Sequence, residues 1–113
     1  GTDYDFRAPR PVRQTVLDHA FTDLARDRSG RATSVLRDPA TGLGVALWVD
    51  ERCTWLQGYT GDDAGATARR SLAVEPMTAP PDAFRSGTGL VTLAPAGGPG
   101  DEFSVSWGIR AVG

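Results

Sequence analysis

At 113 residues, 40% of them hydrophobic, the chain is one domain or a piece of one, with room for a single modest core. A formal net charge of −2 gives no electrostatic reason to bind nucleic acid or an anionic membrane, and the 12 basic residues, all arginine, read as codon bias. The single Cys53 cannot close an internal disulfide, no Cys/His cluster has metal-ligand spacing, and no apolar run reaches the roughly 18 residues of a membrane span or the pattern of a signal peptide, so a soluble, cytoplasmic protein is expected.

Residues 1–13, GTDYDFRAPRPVR, hold two prolines and no periodicity, and are expected as an ordered loop or a leading strand. Residues 14–26, QTVLDHAFTDLAR, place Val16, Leu17, Ala20, Phe21 and Leu24 at helical spacing. Asp18, Thr22 and Asp23 are weak helix formers and good turn formers, so the expectation is a short helical turn or an irregular loop. From residue 31 the pattern turns to β. RATSVLRD alternates weakly and runs into the turn signal DPATG, and LGVALWVD is an apolar run of strand length. In TWLQGYT the period of two puts Trp55, Gln57 and Tyr59 on one face and Leu56 and Gly58 on the other. GDDAGATA is a polar loop, RRSLAVEPM a strand, PPDAFRSGTG a turn region, LVTLAP a strand, AGGPGDE a Gly/Pro loop and FSVSWGIRAV the last strand. Five or six short strands separated by turn chemistry point to an antiparallel sandwich or barrel, with no internal repeat and no linker-like segment.

Three segments, in order, carry a resemblance. They are VLDHAF at 16–21, WLQGYTGD at 55–62, and LAVEPMTAPPDAFRSGTGLVTLAP at 72–95 followed by SWGI. The combination resembles the C-terminal end of the aldose 1-epimerase (galactose mutarotase) family, and covers most of this chain but only about the last third of such an enzyme. The resemblance implies an all-β fold, a mutarotase-like antiparallel β-sandwich. Residues 1–113 would be an incomplete C-terminal part of that single domain.

The resemblance also implies chemistry. Mutarotases interconvert the α and β anomers of an aldose. A base takes the proton of the C1 hydroxyl, an acid protonates the ring oxygen, and the ring opens, rotates about C1–C2 and recloses. Glu75, before the prolines, resembles the general base. Asp18 in LDHAF and Gln57 in LQGYTG resemble residues that hydrogen-bond sugar hydroxyls, for which a carboxylate and a carboxamide are suited. No cofactor or metal is implied. The general acid, a second histidine and an arginine belong to the part of the family sequence that precedes this one. The partners implied are an aldose of galactose or glucose type and a missing N-terminal portion or companion chain. Unpaired strand edges also suggest a homodimer made by strand pairing. The alternative is a non-catalytic β-sandwich module that binds carbohydrate or protein.

Physical chemistry adds expectations of its own. Glu75 at a strand end among Ala73, Val74 and Met77 would be partly desolvated, which raises a carboxyl pKa toward the range a base needs. Pro76 would stop the strand and fix the carboxylate at a rim. Trp55 and Tyr59, on the face of Gln57, offer rings for the C–H patch of a pyranose. His19 is not at the position of the family's acid. Asp82 reads as a turn-stabilising side chain, Trp48, Trp55 and Trp107 as core or half-buried residues, and Cys53 as a small hydrophobe, while Tyr4, Asp5 and Phe6 resemble a loop segment of the family, which implies a structural role.

Overall fold

A computed structural model of the protein describes residues 3–113. Its strands are β1 (Asp18–Phe21), β2 (Ala32–Arg37), β3 (Gly44–Val49), β4 (Trp55–Tyr59), β5 (Ala73–Met77) and β6 (Trp107–Val112), with a 3-10 turn at Gly65–Thr67 and one helical turn, α1, at Ala83–Ser86. They make two antiparallel three-stranded sheets, ordered β1-β4-β5 and β2-β3-β6.

The DPATG signal makes the β2–β3 hairpin for a local reason. The Asp38 carboxylate accepts from the Ala40 N–H and the Thr41 hydroxyl, both at 2.9 Å, and Gly42 supplies the left-handed backbone (φ 75°) that the turn needs. The two sheets then face each other. Ala32, Leu47 and Val49 from β2 and β3 share one buried cluster with Leu56 of β4, Cys53 and the half-buried Leu24 and Val74. The fold is therefore an all-β antiparallel sandwich, as the sequence implies. Cross-strand parity sorts the residues: Leu56, Gly58 and Val74 turn inward, and Trp55, Gln57 and Tyr59 turn to the opposite face. Gly58 lies under an aromatic ring, since a Cβ there would stand 3.1 Å from Phe21.

Several local expectations are corrected. The segment 14–26 is neither a helical turn nor irregular throughout, because Asp18–Phe21 is a strand paired along its whole length with β4. Residues 90–95 are not a strand, the last strand begins only at Trp107, and α1 interrupts the turn region. Strand β5 starts at Ala73, not at Arg69, and Pro76 does not end it. Pro76 is tolerated inside β5 because β5 is an edge strand, with no further ladder on one flank. Asp82 makes no capping hydrogen bond. It takes a left-handed backbone (φ 65°) ahead of α1 and pairs with Arg85 at 3.8 Å. Trp48 and Trp55 are half-buried, while Trp107 is exposed.

Candidate functional site

The outward face of the β1-β4-β5 sheet is laid out by register. Asp18, Tyr59 and Ala73 form one row across the strands, and Ala20, Gln57 and Glu75 form the next. Trp55 and Met77 continue it. Asp18, Gln57 and Glu75 thus lie as neighbours across three strands, Gln57 and Glu75 in one row and Asp18 in the next. Directly opposed residues such as Gln57 and Glu75 have Cβ atoms about 5 Å apart, and diagonal neighbours such as Asp18 and Gln57 about 7 Å. Alanines at 20 and 73 keep the floor beside these three residues low, and the rings of Trp55 and Tyr59 flank Gln57 along β4.

The side chains make one direct link. Gln57 Nε2 donates to Asp18 Oδ1 at 2.8 Å. The other end of that carboxamide, Oε1, is buried and accepts from no described group. An unsatisfied buried acceptor costs about 1–3 kcal/mol. Glu75 is exposed and sits in the middle of β5, so the strand-end position and the partial desolvation expected for it are not found.

Asp62, Asp63 and Arg69, which the sequence did not single out, fix the end of this face together with Tyr59. Tyr59 donates its hydroxyl to Asp63, and that bond, with the charges of Asp63, Asp18 and Asp62, pushes the phenol pKa up. Asp62 accepts from the Thr60 hydroxyl and pairs with Arg69 at 2.8 Å, contacts that hold its carboxyl below the ordinary 3.8. Arg69 also donates to the backbone carbonyls of Arg13 and Thr15, tying the leading loop to the β4–β5 connection. The GDD run after β4 hinted at a turn, but nothing in the sequence pairs Asp62 with Arg69.

His19 lies on the other face of β1, opposite Gly58, with its ring 4.3 Å from that of Tyr4. Phe6 meets Phe21 edge-on at 6.2 Å, and Asp5 binds Arg7, so the leading loop is packed down. Cys53 is buried, and burial pushes its thiol pKa up. Among the described residues no group of three or more His, Cys, Asp or Glu side chains is gathered to hold a metal ion. Two clefts, one beside Arg31 and Arg52 and one beside Arg13 and Arg70, include none of Asp18, Gln57 and Glu75.

The sequence profile described as Aldose 1-epimerase matches residues 1–99. The chain belongs to the aldose 1-epimerase family. It is 33% identical over 91 residues to the uncharacterized protein YihR of Escherichia coli (strain K12), an alignment that covers 80% of this chain and 27% of that protein. The chain thus spans about a quarter (27%) of the length of this relative. No solved structure matches it. Asp18, Gln57 and Glu75 all fall inside the segment matched to aldose 1-epimerases, and β6 lies beyond it.

Proposed function

We propose that the chain forms the base-bearing wall of the sugar site of an aldose 1-epimerase acting on a hexose of galactose or glucose type. The observation that carries this reading is the grouping of Asp18, Gln57 and Glu75 on one sheet face. Those residue types, at that spacing, suit a polyol: a carboxylate to take a proton, and a second carboxylate and a carboxamide to bind hydroxyls.

In this reading Glu75 accepts the proton of the C1 hydroxyl while an acid protonates the ring oxygen. The C1–O5 bond breaks, the C1 oxygen becomes a carbonyl, rotation about C1–C2 exposes the other face, and the reverse transfers close the ring. Protons are conserved over the cycle, and no cofactor is required. Asp18 and Gln57 hold the sugar while this happens.

The acid comes from elsewhere. His19 is the only histidine in the sequence and stands on the far side of the sheet from Glu75. A preceding portion of the same polypeptide, or a companion chain, would supply the acid and the opposite wall. It would also remove Glu75 from bulk water. The share of YihR left unmatched by the chain supports this. A second reading, a non-catalytic module binding carbohydrate or protein, is favoured by the exposure of Glu75.

Anomer exchange measured by polarimetry separates the two, with the chain combined with the polypeptide that completes the site. Glu75→Gln is expected to slow exchange about 10²–10⁴-fold, the range of one acid–base group, while hexose binding persists. Exchange at the parental rate in that variant would reject the role given to Glu75.

A further inference from the structure

We infer that Arg69 is a positioning residue for Asp18: its guanidinium sets where β1 enters the sheet, and so places the Asp18 carboxylate beside Gln57. The inference rests on the reading of Asp18 as a hexose contact, and adds to it a residue that touches no sugar.

Strand β1 needs such a device. It has four residues, lies at the edge of its sheet and begins at Asp18. An edge strand that short frays from its ends, and a slip of one residue would carry Asp18 to the inner face. The chain just before Asp18 is held at several points by one side chain. Arg69 donates to the carbonyls of Arg13 and Thr15, the latter at 3.3 Å. It also binds both carboxylate oxygens of Asp62, at 2.8 and 3.1 Å. Asp62 in turn accepts from the Thr60 hydroxyl. That hydroxyl has one proton and two acceptors in reach, the Asp62 carboxylate and the Leu17 carbonyl at 3.2 Å. The charged acceptor takes the proton. The lone pairs of the Thr60 oxygen are then turned to the Leu17 N–H, which donates to it at 2.9 Å. The Leu17 carbonyl keeps a donor, because the Thr60 N–H reaches it at 2.9 Å. A polar chain thus runs from Arg69 through Asp62 and Thr60 to the residue next to Asp18. Leu17 and Thr60 are only 5% and 4% exposed, so water does not replace the contacts between them.

The backbone points the same way. Arg13 and Arg69, acceptor and donor of one of these bonds, both have left-handed backbone, with φ of 44° and 58°. Glycine takes that conformation freely, whereas arginine is strained in it. At Arg69 the contacts of the guanidinium offset the strain.

The test is Arg69→Gly, which removes the guanidinium and suits the left-handed backbone. In the chain itself, NMR should show the Leu17 amide exchanging about tenfold faster and the Gln57 side-chain NH₂ shifts moving toward unbonded values, with Ala46 and Leu47 in β3 as protected as in the parent. Anomer exchange is then measured with the chain combined with the polypeptide that completes the site. The hexose KM should rise about tenfold, the loss of roughly one hydrogen bond to a charged group. The kcat should stay within about twofold of the parent, because Glu75 lies on β5, at the far edge of the sheet from β1. Thr60→Val leaves Arg69 in place, cuts the chain at the hydroxyl and should give the same pattern. Protection lost equally at Leu17 and in β3 in both variants would mark a merely structural role and overturn the inference. Unmoved Gln57 NH₂ signals would overturn it and leave the sugar site standing. Moved signals with an unchanged KM would overturn it together with the reading of Asp18 as a sugar contact.

Discussion

Gly108 shows how one missing methyl group sets a local arrangement. It lies opposite Trp48 in the β3–β6 ladder, and a Cβ there would come 2.5 Å from the indole Nε1. The indole crowds the glycine and is covered by Arg31, whose guanidinium carbon is 4.0 Å from the ring centroid. Gly108→Ala is expected to destabilise the fold by about 1–3 kcal/mol through overpacking, seen as a lower urea midpoint. Asp62 makes a pH-dependent contribution at the same scale. Its folded pKa is depressed below 3.8, first by the Thr60 hydroxyl and then by Arg69. A depressed carboxyl contributes stability that is present above its unfolded value and lost as pH falls through the folded one. Asp62→Asn should lower the thermal midpoint at pH 7, and the gap to the parent should close as the pH drops below 3.8. A gap of constant size from pH 7 to pH 3 would show that charge is not what Asp62 contributes.

At the scale of elements, the turn between β3 and β4 is held by two side chains. Asp50 accepts from the backbone N–H groups of Arg52, Cys53 and Ser106, at 3.1, 3.2 and 2.7 Å, and so joins that turn to the start of β6. Arg26 donates to the carbonyls of Gly30, Asp50 and Cys53 at 2.8–2.9 Å, joining the same turn to the approach to β2. Asp50→Ala leaves three backbone N–H donors without this carboxylate and is expected to cost about 1–3 kcal/mol. Hydrogen exchange should accelerate at Cys53 and Ser106 before the centre of β3 is affected. Uniform acceleration across β3 and β6 would mean that the turn and the sheet open as one unit. Strand β1 belongs to the same scale. Its apolar residues fall at helical intervals, yet four consecutive ladder pairs with β4 decide its conformation.

The whole molecule is open. Its radius of gyration is 16.2 Å, where a compact domain of this length has about 13 Å. Its accessible surface is 8170 Å², where a compact monomer of this mass exposes roughly 6,000 Å². The excess, roughly 2,000 Å², is of the order buried in a substantial protein interface. Part of it is identifiable. The face of the β2-β3-β6 sheet that buries Ala32, Leu47 and Val49 also carries Leu36, Val45, Trp107 and Ile109 at 45%, 51%, 53% and 63% exposure. Apolar surface of that kind, next to an unpaired β6 edge, favours association. The isolated chain is expected to self-associate, and Ile109→Glu to shift sedimentation toward the monomer. A parent chain that stays monodisperse and monomeric at high concentration would contradict this.

The sequence by itself determined the β class, the positions of β2, β3 and β4, the division of TWLQGYT into two faces, and the family. All of these rest on local signals: alternation, turn residues at fixed offsets, and motif strings. Only the tertiary structure decided that Asp18 stands on a strand, that His19 faces away from Glu75, and that Gln57 is bonded to Asp18 across 39 positions of chain. Register between distant segments sets these relations, and it is fixed by pairing that no single segment encodes. The exposure of Glu75 was hidden for the same reason. The residues beside it in sequence are apolar, but burial is set by what packs over each position, and Glu75 is exposed where its neighbours in β5 are half-buried.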